Sequence, residues 1–216
     1  PQAMIVSHKL KLLFAHVPKT GGSSITEALR PWIHTNRVTN LKPGERGWQN
    51  QWHAIGSMHS PFGLEAKLAQ DLIDSGYQVA TSLRTPFERM ASMWAIKGRA
   101  NGVEPFSYLR KYLPTHCRFT VQEMAGPQID FELSFETLAQ SFSDMMLDLH
   151  VAYDPGDFPW ENRQPNITPG GGSREIMERV YEDDRVTAWA LDTFEDEFDE
   201  WGFDDDPLAG LPEDPA

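Results

Sequence analysis

The stretch FAHVPKTGGSS, residues 14–24, places Lys19 ahead of the pair Gly21-Gly22 and follows them with Ser23 and Ser24, directly after an apolar run. Glycines let backbone N–H groups approach an anion, and a helix that starts behind them turns the positive end of its dipole toward the same point. The chemistry this suits is the holding of a phosphate or a similar anion. Residue order narrows it. A Walker A loop reads G-x-x-x-x-G-K-[ST], with the lysine behind its second glycine and a hydroxyl residue next for magnesium. Here the lysine precedes the glycines, and no glycine stands at the required place before them. A mononucleotide kinase also needs an acidic residue at a second strand end to organise magnesium, whereas the next strand candidate ends in Leu83-Arg84. The pattern suits an anion held without a metal.

The elements that must position these residues follow from periodicity. Residues 11–17, KLLFAHV, form a short apolar run that suits a buried parallel strand, with His16 inside it in a structural or ligand-adjacent role. Ser24 and Glu27 pair as a capping box for a helix that Pro31 ends. Residues 32–60, rich in Trp, Asn, Gly and His, read as a long binding loop. A helix over residues 64–73, closed by Gly76, leads to a strand over residues 77–83. At its end Thr85 caps the next helix, Pro86 fits its first position and Glu88 completes a second capping box, which leaves Arg84 at the strand's carboxyl edge. Ser92 falls about two turns down that helix.

Farther on, residues 98–120 read as irregular with a short helix over residues 107–112, and IDFELSF, residues 129–135, as a strand. Leu138, Phe142, Met145, Met146 and Leu149 keep helical spacing, which fits core packing better than a cofactor pocket. Four prolines and four glycines mark residues 153–172 as a loop. Ser173 caps a last helix to about Trp201, and the acidic tail of residues 204–216 is expected to lack structure, leaving one domain over residues 1–203. Alternating strands and helices imply a three-layer α/β fold with a mainly parallel sheet, whose ligands gather at the carboxyl edge.

Composition agrees with a globular chain: of 216 residues 40% are hydrophobic and 24% charged, and a single cysteine, Cys117, excludes an internal disulfide framework. The lone cysteine points to a reducing, cytoplasmic compartment, and no apolar run nears the ~20 residues of a bilayer span, so the expectation is also a soluble protein. A net charge of −13 argues against nucleic-acid and membrane-surface partners. The charge is uneven. Residues 1–110 hold 13 Lys+Arg against 7 Asp+Glu, and residues 111–216 hold 6 against 25, so the positive half carries the glycine loop. An uneven solvated surface explains the same numbers.

On these residues the chain resembles a known family. HVPKTGGSS is similar to the 5′-phosphosulfate loop of sulfotransferases, and SLRTPFERMASMW, residues 82–94, resembles their 3′-phosphate motif, in which an arginine and a serine eight residues on grip the phosphate. FELSFETLAQSF and RQPNITPGGGSREIMERVYEDD are similar to the C-terminal half of the carbohydrate and bacterial members. The resemblance implies a P-loop NTPase-like fold, 3′-phosphoadenosine 5′-phosphosulfate as donor with no metal, and a small-molecule or carbohydrate acceptor. It implies that Lys19 contacts the phosphosulfate and neutralises the departing oxygen, with Thr20, Gly21, Gly22, Ser23 and Ser24 as loop donors and Arg84 and Ser92 on the 3′-phosphate. Arg174, behind the glycine run, would close over that phosphate or be a surface arginine at a helix start. The acceptor's base is expected in QWHAIGSMHSPFG, as His59 or, second, His53, although either histidine could simply pack or hydrogen-bond there. Arg89 is expected to pair with an acid on its own helix, and Cys117 beside His116 to be idle. Trp32, Trp48 and Trp52 offer stacking surfaces for an acceptor or simply core. A small-molecule kinase and a non-catalytic nucleotide-binding regulator are the alternative readings.

Overall fold

The computed structural model describes residues 4–33, 66–116, 121–126, 128–161, 174–209 and 211. Strand β2 (Leu12–Ala15) is buried at every position, as a strand covered on both faces must be. It pairs in parallel with β3 (Gln78–Leu83), Leu12 opposite Gln78, and β3 pairs in parallel with β4 (Phe131–Ser134). A further strand, β1 (Met4–Ser7), runs antiparallel along the other side of β2, giving the order β1-β2-β3-β4. The sheet is therefore α/β and mainly parallel. β1 escapes a reading for turn residues because the connection 8–11 holds neither glycine nor asparagine. Lys11 takes the left-handed position there, at φ 49. Ser7 steadies it, its hydroxyl accepting from Leu10 N–H at 3.2 Å and donating to the Trp32 carbonyl at 2.8 Å.

Alternation along β2 sends side chains to two cores. Leu12 and Phe14 pack with Ile25 and Leu29 from and beyond α1 (Gly22–Ala28) and with Leu138, Phe142 and Met146 of α6 (Leu138–Asp148). The Met and Phe stripe of α6 is core, as expected. Leu13 and Ala15 face the other way, toward Ala69 of α2 (Ala66–Asp74) and Ala125 of α5 (Val121–Ala125). A third core joins α3 (Pro86–Met93), α4 (Pro105–His116), α7 (Arg174–Tyr181), α8 (Asp184–Thr193) and α9 (Glu195–Trp201) around Phe87, Met90, Leu109, Met177, Val186 and Phe194. Among the described residues no helix is long and apolar enough to cross a membrane.

Three expectations need correction here. Helix α4 covers Pro105–His116, longer than the short helix expected within an irregular region, because Pro105 starts it and apolar residues Tyr108 and Leu109 anchor it in the third core. The single last helix is instead three, since Asp183 caps α8 by accepting from Arg185 N–H at 3.1 Å and so ends the run before it; Ser173 lies outside the described residues. The tail expected to lack structure is corrected only at Leu208 and Leu211, which pack against the helical core; residues 210 and 212–216 lie outside the described residues.

Arg89 does not pair within α3. It crosses to α9, where its Nη2 donates to both carboxylate oxygens of buried Glu197 at 2.8 and 2.9 Å, while Val121 N–H donates to the same carboxylate at 3.0 Å. The guanidinium also stacks on Phe194, 4.9 Å from the ring centre. An own-helix partner would leave this charge half-solvated; the buried position requires a partner that is buried too. Removing one partner alone, by Arg89→Ala or Glu197→Ala, should cost about 3–5 kcal/mol in urea unfolding, and the paired change Arg89→Met with Glu197→Leu much less.

Candidate anion-binding site

Three adjacent strand ends meet at the carboxyl edge of the sheet. β2 runs out into His16 and the lysine loop, β3 into Arg84, and β4 into Phe135 and Glu136. The loop is pinned to β3 by a buried clasp: the Thr20 hydroxyl donates to the Val17 carbonyl at 2.8 Å and pairs with the Ser82 hydroxyl at 2.6 Å. Thr20 therefore serves the loop's shape with its side chain. The turn itself passes through two left-handed residues, Lys19 at φ 69 and Gly21 at φ 83.

Both glycines answer to close neighbours as well as to an anion. A Cβ on Gly21 would lie 2.5 Å from Leu138 Cδ2, and one on Gly22 would lie 2.0 Å from the His16 ring. His16 is not inside the strand but just past its end, where its ring stacks with Phe14 and covers Gly22. The capping box of Ser24 with Glu27 does not form. Gly21 takes the cap position because its left-handed backbone makes the turn, and α1 starts at Gly22, three residues earlier than a Ser24 cap would start it. Ser24 is thus free to tie down a distant segment, its hydroxyl accepting from Glu161 N–H at 2.9 Å. Ser23 is exposed.

Arg84 is the unusual residue. Only 3% exposed, it donates from Nη1 to the Lys19 carbonyl at 3.2 Å, while Nε and Nη2 are buried and have no hydrogen-bond partner among the described residues. The Phe135 ring covers the guanidinium at 4.1 Å, held there because Phe135 N–H donates to the Leu83 carbonyl at 2.9 Å and prolongs the β3–β4 ladder. Glu88 Oε2 lies 3.6 Å from Nε, a counter-charge beyond hydrogen-bond reach. Burial pulls the Arg84 pKa down, and the nearby carboxylates of Glu88 and Glu136 oppose it. Burial pushes Glu88 up, with Arg84 opposing and Glu136 adding to the rise. Thr85 caps α3 as expected, accepting from Glu88 N–H at 3.1 Å, and its hydroxyl donates to Glu88 Oε2 at 3.3 Å.

The remaining expected residues divide. Ser92 lies half-buried on α3, and its hydroxyl forms no hydrogen bond with another described residue. Arg174 opens α7 and donates from Nε to Glu178 at 2.8 Å, an ion pair along its own helix; the glycine run before it lies outside the described residues. His53, His59, Trp48, Trp52 and Cys117 also lie outside them. Trp32 packs beside the first core with its ring 6.2 Å from that of Tyr153. Among the described residues no group of three or more His, Cys, Asp or Glu side chains gathers as metal ligands would. Sequence reasoning missed Phe135, Glu136 and the direct role of Glu88 beside Arg84. The available signal was topological, since FELSFET places a third strand end beside Arg84 once the parallel order is drawn.

Two changes separate packing from ligand binding at this edge. Gly22→Ala should destabilise by about 1–3 kcal/mol through the clash with His16, and His16→Ala should recover most of the loss in a double-mutant cycle measured by urea unfolding. The paired substitution Arg84→Met with Glu88→Gln should leave unfolding stability equal or higher, because it removes a buried charge with unfilled donors. A loss of several kcal/mol would instead make Arg84 a structural residue. In comparisons with known proteins, the chain matches no family model, and no curated protein or solved structure shows a significant match.

Proposed function

We propose that this chain is a sulfotransferase of P-loop NTPase-like fold, moving the sulfuryl group of 3′-phosphoadenosine 5′-phosphosulfate to a hydroxyl or amine acceptor. The observation that carries this reading is the buried Arg84 guanidinium, hydrogen-bonded to the backbone of the lysine loop, with two of its nitrogens unpartnered among the described residues. An always-charged group costs several kcal/mol to bury, and an anionic group with acceptor oxygens answers both its charge and its empty donors. The resemblance of HVPKTGGSS and SLRTPFERMASMW to the sulfotransferase motifs supports a donor with a phosphosulfate at one end, beside Lys19, and a phosphate at the other, beside Arg84 and Ser92.

In this reading the acceptor oxygen or nitrogen attacks sulfur in line, and the bond from sulfur to the 5′-phosphate oxygen breaks. The electron pair leaves on adenosine 3′,5′-bisphosphate, where the Lys19 ammonium offsets the growing charge. The acceptor proton passes to His59, with His53 as the alternative base. Like phosphoryl transfer, the step is governed by positioning and charge, and a single well-placed cation contributes about 10²–10³ in rate. The P-loop-like fold, cytoplasmic setting and small-molecule or carbohydrate acceptor belong to the same proposal.

Ligand-induced thermal stabilisation tests it first. Adenosine 3′,5′-bisphosphate at a hundredfold excess over Kd should raise the Tm by about 5–10 °C, and magnesium ATP should not. The reverse order would replace the reading by a small-molecule kinase. With the donor and a panel of hydroxyl and amine acceptors, sulfated product should form, and Lys19→Ala should lower kcat by about 10²–10³. Binding without product, unchanged by His59→Ala, would make the chain a nucleotide-binding regulator.

A further inference from the structure

Glu88 sits in the Arg84 site as a buried carboxylate of the protein's own. It is 6% exposed, and its Oε2 faces Arg84 Nε at 3.6 Å without reaching it as an acceptor. It therefore balances the charge of the guanidinium without filling Nε or Nη2, which have no hydrogen-bond partner among the described residues. We propose that Glu88 holds Arg84 while the site is empty and takes up a proton when a phosphomonoester fills it, so that anion binding and proton binding are coupled at one carboxylate. The inference rests on the reading of this edge as a phosphate site.

Several described groups surround Glu88. From its own helix come the Thr85 hydroxyl, which donates to it, and Arg89, committed to Glu197 across the helical core. From β3 comes Arg84, and from the turn after β4 comes Glu136, a like charge. From α7 comes the Tyr181 phenol, whose O–H donates to the Phe87 carbonyl. Arg84 is thus the cation that directly faces the Glu88 carboxylate. When phosphate oxygens take Nε and Nη2, Glu88 shares its counter-charge with a dianion and gains a like-charged neighbour in the same buried space. Both changes favour its protonated form. Once protonated, the carboxyl offers an O–H donor to the phosphate in place of a repelling charge.

The sign of the linkage follows. Between the proton affinities of Glu88 in the empty and in the filled site, binding takes up a proton, so affinity is highest at the acid end and falls as pH rises. The fall that Glu88 contributes is at most about tenfold per pH unit for one coupled proton. Because the ligand's own phosphate also titrates near pH 6, the comparison is with Glu88→Gln, which keeps the shape and the Thr85 contact but cannot titrate.

Calorimetric titration of the full chain with adenosine 3′,5′-bisphosphate, in buffers of different ionisation enthalpy at neutral pH, counts the protons. The wild type should take up about one proton more per ligand than Glu88→Gln, whose affinity should exceed that of the wild type increasingly as pH rises. Equal proton counts in the two proteins, with binding intact in both, would overturn the coupling and leave the phosphate site standing. Failure of the wild type to bind the bisphosphate at all would overturn the site itself. A third readout is independent of any variant. The infrared difference spectrum of the wild type on ligand addition should lose a carboxylate band and gain a protonated carboxyl band, and its absence with ligand bound would sink the proposal.

Discussion

A guanidinium stays charged at every pH a protein meets and carries five N–H donors in a rigid fork, so a chain that buries one must build the surroundings to match. Arg84 imposes that demand on the carboxyl edge of this sheet. The Lys19 carbonyl turns in to accept from it, the Phe135 ring lies over its face, and Glu88 stands across from Nε. Even so, Nε and Nη2 have no hydrogen-bond partner among the described residues. Leaving buried donors empty costs about 1–3 kcal/mol each, or more on a charged group, which a purely structural site has no reason to tolerate.

The contrast with Arg89, five residues on, gives the point its force. Both arginines belong to one strand-to-helix junction and both are buried. Arg89 is satisfied by two carboxylate contacts, and its partner Glu197 is in turn fixed by Val121 N–H, so that three segments of the helical half are locked together. Arg84 faces the sheet edge and is left short. The same local sequence thus supplies a finished structural tie on one side of the helix and an unfinished charge on the other. The framework around the unfinished one is stiff: Thr20 clasps Ser82, Thr81 donates to the Ala15 carbonyl at 3.2 Å, and His16 fills the space that Gly22 leaves open. Such rigidity is what holds donors in place before an anion arrives.

Much of this was legible in the sequence because it depends on local rules. The buried run of β2, the strand before Arg84, the Thr85 cap with Pro86 behind it and the apolar stripe of α6 follow from periodicity and capping. What escaped depends on contacts between distant segments. Ser24 and Glu27 have the spacing of a capping box, yet a left-handed Gly21 made the turn first and Ser24 bonded to Glu161 instead. β1 escaped because a left-handed lysine closes its turn. The partner of Arg89 lies over a hundred residues away, and no helical spacing could reveal it. Phe135 and Glu136 join the site only through strand order, which a pattern of apolar residues does not specify.

The account stands on Arg84 being the group that receives the anion. Nitrogen-15 NMR of the arginine side chains during titration with adenosine 3′,5′-bisphosphate reads this at the atom concerned, with Arg89 as an internal control buried in the same helix start. The Nε–H signal of Arg84 should shift and gain protection from solvent exchange as the ligand saturates, while that of Arg89 stays in place. Saturable binding that leaves the Arg84 signal unmoved would contradict the account.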